Sequence, residues 1–106
     1  MKPEERPTRI VRIENWSVHR DPYAAPETVA GRPYLVGEVH GYPGREDGHR
    51  VQTGHIYDAE GRVAYGRRTA YRLGEPAPKY LAWCEANGIA FDPDRPIKIT
   101  AIEEDR

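Results

Sequence analysis

The chain has a single cysteine among 106 residues, so it cannot form an internal disulfide. That suits a reducing, cytoplasmic setting. A dominant charge sign is missing as well: 16 Lys and Arg stand against 17 Asp and Glu, a formal net charge of −1. The molecule as a whole therefore has no field that would draw it to nucleic acid or to a membrane. Met1 to Thr8 is charged, contains Pro and has no apolar run, so neither a signal peptide nor a membrane span is expected there. No Gly-rich phosphate loop, Gly-x-Ser-x-Gly elbow or dinucleotide fingerprint occurs, which removes the enzyme classes built on those motifs. Repeats, heptads and low-complexity segments are also missing.

What is present is punctuation and amphipathic aromatics. Ten Gly and ten Pro suit many turns, and seven Tyr and two Trp stand against one Phe. Most large apolar groups therefore carry a polar tip and favour half-buried sheet faces and binding surfaces. The length gives one domain with a small core.

Tyr71 to Phe91 is the least ambiguous stretch. A strand ends at Leu73, Gly74 breaks it, and Pro76 and Pro78 fit the first turn of a helix, where N–H groups lack partners. The helix is predicted over residues 76–87, with Ala77, Leu81 and Cys84 on its apolar stripe and Tyr80 and Trp83 beside it. Gly88 suits the left-handed stop after Asn87. Cys84 reads as a buried structural thiol.

Residues 1–9 are predicted to be a disordered lead-in to a single domain over 10–103. Ile10 to Val18 is the first strand; neither of its faces is cleanly apolar, which predicts a bulge near Glu14-Asn15. His19 to Pro33 is a loop packed across an open end of the sheet, with Tyr23 as its anchor. Tyr34 to Gly41 is the second strand, and Gly37 and Gly41 signal curvature or close approach of another backbone. Arg50 to Asp58, Arg62 to Tyr65 and Thr69 to Leu73 follow, with short connections that predict pairing in sequence order. Ile97 to Ile102 is the last strand. The predicted fold is mainly β (α+β): a strongly bent antiparallel sheet or small β-barrel of five to six strands, with one helix before the last strand. The predicted core is Val11, Ile13, Leu35, Val39, Val51, Ile56, Val63, Leu73, Leu81, Cys84, Ile97 and Ile99.

Three groups of short runs carry a resemblance: Trp16-Ser17-Val18 with Asp21-Pro22-Tyr23 and Ala25-Pro26-Glu27; Gly41-Tyr42-Pro43 with Asp47-Gly48 and Val51-Gln52-Thr53; and Tyr71-Arg72-Leu73-Gly74-Glu75-Pro76 with Tyr80-Leu81 and Trp83-Cys84. In these the chain resembles short uncharacterised proteins of bacterial phages and other mobile genetic elements. The resemblance implies a small cytoplasmic accessory protein that binds rather than catalyses, and it transfers no functional residues.

His19, His40, His49 and His55 show no helical pair spacing, and hairpin pairing about residue 46 would set His40 opposite Gln52 and His55 opposite Gly37, so no metal site is assigned. A nucleophile at Cys84, Ser17, Thr53 or Thr69 lacks a placed acid to orient a His. No catalytic residue and no cofactor is assigned. The most informative polar cluster is Arg62, Tyr65, Arg67, Arg68, Tyr71 and Arg72, with Arg45, His49 and Arg50 from the preceding hairpin. Six Arg stand against four acids over residues 45–72. Arg beside Tyr on curved strands is how small barrels hold single-stranded nucleic acid. Tyr, Trp and Arg are also the residues of protein hot spots, and a solvated hairpin tip is the bland alternative. The sequence favours a non-catalytic protein-interaction module acting through this Tyr/Arg surface, with an unknown protein partner. The alternatives are a single-stranded nucleic-acid-binding barrel, and a small-molecule-binding protein or enzyme of unknown reaction. Exposed fourth or fifth strands would allow a homodimer by edge pairing.

Overall fold

The computed structural model describes residues 9–25 and 28–97. The fold is mainly β. Its strands are β1 (Arg9–His19), β2 (Tyr34–His40), β3 (His49–His55), β4 (Asp58–Glu60), β5 (Val63–Tyr65) and β6 (Thr69–Leu73), followed by helix α1 (Pro78–Ala86). They make one six-stranded sheet in the order β3-β2-β1-β6-β5-β4. Of the predicted lead-in 1–9, residues 1–8 lie outside the described residues, as does all of the predicted last strand beyond Ile97, whereas Arg9 already belongs to β1.

The sheet is two three-stranded antiparallel meanders, β1-β2-β3 and β4-β5-β6, joined side by side through β1 and β6. That junction is parallel, with Arg9 opposite Thr69 and Ile13 opposite Leu73. The sheet is therefore mixed rather than purely antiparallel, and β3 and β4 do not pair although they are consecutive. Instead they are the two outer strands, and only Ile56 and Tyr57 connect them. The Ile56 N–H donates back to Pro33 O at 2.7 Å, while the Tyr57 N–H donates forward to Tyr65 O at 2.8 Å. At this corner the chain leaves one meander for the other. A two-residue link between opposite edges forces the sheet to curl until those edges converge there, without a closed barrel among the described strands.

The predicted bulge lies in β1. Its register against β2 shifts between Glu14 and Ser17, and Asn15 takes φ 52°. Asn is one of the few residues that accept this left-handed backbone at low cost. The extra residue changes the phase of the strand. Val11 and Ile13 point inward before it, and Trp16 points inward after it. The Asn15 N–H donates to Glu75 O at 2.7 Å, and Trp16 bridges to Pro76, which ties the bulge to the approach of α1.

The core is Val11, Ile13, Trp16, Leu35, Val39, Ile56, Ala64, Tyr71, Leu73 and Ile97, with Val51 partly buried against it. Val63 is half-buried. Cys84 is buried, as its place on the helix implies, but Leu81 is 37% exposed. The helix is rotated from the predicted stripe because Tyr80 is the residue that packs inward, its ring 6.1 Å from that of Trp16 and 6.3 Å from that of Phe91. Trp83 stacks on the other side of Tyr80 and stays 53% exposed. The helix starts at Pro78, two residues later than predicted. Its stop is as predicted: Gly88 has φ 68°, its N–H donates to Glu85 O, and the Ile89 N–H donates to Cys84 O. This is the two-bond Schellman closure. Tyr23 does not anchor its loop, being 96% exposed. Gly31 and Pro33 are buried instead, and Arg20 donates to Gly31 O.

Candidate functional site

The corner at Ile56-Tyr57 leaves a cleft of about 320 Å³ where the sheet does not close. One wall is the end of β3, Gly54 and His55. The other is the β5–β6 turn, Gly66 to Arg68, with Thr69 and Tyr71 from β6, and Tyr57 lies between the two walls. The turn is tight because the Gly66 N–H donates to Thr69 O at 2.8 Å, which leaves Arg67 and Arg68 at its two central positions. Gly66 keeps this turn uncrowded: a Cβ would sit a tight 3.2 Å from Thr69 O and in ordinary contact, 3.7 Å, with the Tyr71 ring. None of the eight lining residues is acidic.

Guanidinium groups lie over the neighbouring rings. Arg32 and Arg67 lie over Tyr57, with their central carbons 4.6 and 5.7 Å from the ring centre. Arg32 also donates to Tyr57 O at 2.8 Å. Arg9 and Arg45 lie over Tyr42 at 5.1 and 5.6 Å. Each contact of this kind contributes about 0.5–1 kcal/mol where exposed, and it holds a flexible cation in one place. Tyr71 joins the two groups, since its phenol lies within electrostatic reach of both Tyr42 and Arg9.

Of the cluster read from the sequence, the structure brings Arg67, Arg68 and Tyr71 together at the cleft. The other members go elsewhere. Arg62 is consumed by the fold: its guanidinium donates to Leu73 O, Gly74 O and Pro93 O, tying the end of β6 to the loop after α1. Arg72 follows Tyr71 in β6 and so points to the opposite face of the sheet, in register with Arg12 and Val63. Tyr65 is in register with Ala70 and Asp58, again on the face opposite Tyr71. Arg50 is exposed opposite Glu38. Arg45 lies at the far group, 3.1 Å from His49 Nε2. The period-2 alternation of strands separates residues that are adjacent in sequence.

The structure adds Arg9, Arg32, Tyr42, His55 and Tyr57. The two groups form only when the sheet curls, so no spacing along the chain announces the Arg32–Tyr57 or Arg9–Tyr42 contact. The β2–β3 hairpin also pairs differently from the predicted register, with Gly37 opposite Val51 and His55 opposite Tyr34.

The candidate nucleophiles have identifiable places. Thr53 is buried, accepting from the Leu35 N–H and donating to Gly54 O, so its hydroxyl serves the fold. Ser17 Oγ is 2.7 Å from His19 Nε2 on an exposed strand end, with Tyr34 stacked on the His19 ring at 5.6 Å. Among the described residues no group of three His, Cys, Asp or Glu is placed to hold a metal ion, and no helix is long and apolar enough to cross a membrane.

Two phenols are harder to ionise than usual. Burial raises the pKa of Tyr71 above 10.0, and proximity to Tyr42 adds to this, while the Thr69 hydroxyl and Arg9 oppose it. Burial also raises Tyr80, reinforced by its hydrogen bond to Cys84. A folded-state pKa above the unfolded value means stability that is complete below the unfolded pKa and lost as pH rises through the folded one. The urea midpoint should therefore fall as the pH rises above about 10, and Tyr80→Phe should flatten that fall. An unchanged midpoint across this window would remove both phenols from the account.

No protein-family model matches the chain, and no curated protein or solved structure is significantly similar to it.

Proposed function

We propose that the chain is a non-catalytic protein-interaction module that engages an acidic partner through the Arg/Tyr cleft. On its phage-like resemblance we read it as a small cytoplasmic accessory protein of a mobile element. The observation that supports the interaction reading is that Arg67 is stacked over Tyr57, beside Arg68, at a cleft lined by no acid. A stacked guanidinium is a pre-organised fork, and less freedom is lost when it meets a carboxylate or phosphate oxygen. The Tyr42 and Tyr57 rings already carry guanidinium groups from the chain itself. That leaves less ring face for stacking bases, which disfavours the single-stranded nucleic-acid reading.

The test is capture of partners from bacterial lysate with and without nuclease, together with binding of a labelled single-stranded oligonucleotide at two salt concentrations. A partner that survives nuclease and is lost with Tyr57→Ala, while Arg50→Ala retains it, is the expected result. The ring is a hot-spot platform in this reading, so its loss should cost at least about 2 kcal/mol of binding. Oligonucleotide retention that falls with salt by a log–log slope of about −0.7 per phosphate would transfer the site to nucleic acid.

A further inference from the structure

We infer that the cleft recognises a phosphate monoester carried on a side chain of the partner. The inference rests on the reading of this cleft as the partner's contact, and adds the chemistry of the group that enters it. Arg67 and Arg68 lie in one closed turn, His55 lines the opposite wall at the end of β3, and no lining residue is acidic. Two arginines at one cleft, with no acid among the lining residues to balance them, favour a ligand that carries more than one negative charge. A carboxylate or a phosphodiester supplies one. A monoester supplies about 1.5–2 at pH 7, with three acceptor oxygens for the donors of both forks.

Size points the same way. The cleft of about 320 Å³ lies at the lower end of the ~300–1,000 Å³ of small-molecule sites, which is more than a bare anion needs. Tyr57 and Tyr71 line the remaining space, and Gly54 and Gly66 bring no side chain into it. An ester with a compact organic part fits that arrangement. Arg67 is positioned by the Tyr57 ring, and the backbone at Arg68 by the Arg9 N–H, which donates to Arg68 O at 3.3 Å.

The probe is phenyl phosphate, titrated into the full chain by calorimetry and followed by the ring signals of His55. Saturable binding is expected, weakened at least tenfold by Arg67→Ala or Arg68→Ala. Arg72→Ala, an exposed cation of the same strand on the opposite face, should change it less than twofold. The phenyl methyl diester should bind at least tenfold more weakly than the monoester. Both turn arginines are exposed, and circular dichroism would verify that their variants fold. No saturable binding at millimolar phenyl phosphate overturns the inference, as does an equal loss with Arg72→Ala or equal affinity for the diester. A phosphotyrosine peptide should bind more tightly than a nucleoside 5′-monophosphate; the reverse order overturns the assignment to a partner's side chain. A nuclease-resistant partner that Arg67→Ala loses and phosphatase treatment leaves bound would sink the phosphate inference while the interaction module stands.

Discussion

Replacing Trp16 with Ala should destabilise the chain by about 3–5 kcal/mol, the range for removing a large aromatic from a packed core. Trp16 is fully buried, and its indole N–H donates to Gly74 O at 3.0 Å. Its ring contacts those of Tyr80 and Phe91, each 6.1 Å away. It is thus where the β1 bulge, the end of β6 and the helix meet. A domain of this size holds about 5–15 kcal/mol in total, so the variant should unfold at much lower urea. Trp16→Phe keeps most of the packing and loses the N–H donor, and Arg62 still donates to Gly74 O. Its cost should be well below that of Ala. A loss under about 1.5 kcal/mol for Trp16→Ala, outside the range for a packed aromatic, would show that the helix and bulge are not coupled through this ring.

Gly37→Ala is the second large effect. A Cβ at Gly37 would sit 2.8 Å from Ile13 Cγ1 and 3.0 Å from Glu14 O. The second contact is with backbone at the start of the bulge, which has little room to retreat. Overpacking of this kind costs about 1–3 kcal/mol. Gly54→Ala on the neighbouring strand is the control: its Cβ would meet nothing within 4 Å, and its φ is not positive. That change should be neutral or stabilising by about 0.4–1 kcal/mol, through the unfolded state. Chemical denaturation of both variants checks the pair, and equal effects would refute the close approach of β1 and β2 at Gly37.

These two positions also show what the sequence could and could not disclose. Gly37 was legible because a glycine inside an apolar strand signals a backbone or side chain pressed against it. The bulge at Asn15 was legible from two faces that both mixed apolar and polar residues. Gly88 was legible because a helix needs a left-handed residue to end this way. The parallel joining of β1 and β6 was not, because short connections argue only for neighbours along the chain, and this pairing is made by strands at opposite ends of it. The phase of Trp16 depended on the exact residue of the bulge, and the rotation of α1 followed from Trp16, so Leu81 was placed inward by periodicity alone. The Arg/Tyr cluster shared this fate. Closeness in sequence suggests one surface, whereas strand alternation distributes the members over two faces.

The division of the sheet into two meanders bears on how the chain folds. Within each meander the strands pair with their chain neighbours, over at most the 14 residues (20–33) between β1 and β2, which is fast. The parallel ladder from Arg9–Thr69 to Ile13–Leu73 closes nearly the whole intervening chain at once, and that loop entropy is paid before any contact rewards it. The ladder is therefore expected to be the slow step, and Val11→Ala within it should retard refolding rather than hasten unfolding in stopped-flow measurements. The cleft inherits this property. One of its walls belongs to the first meander and the other to the second, so neither half presents the site alone. Occupancy of the cleft registers completion of the whole fold, and a ligand bound there adds stability to the native chain by mass action and none to a half-assembled intermediate.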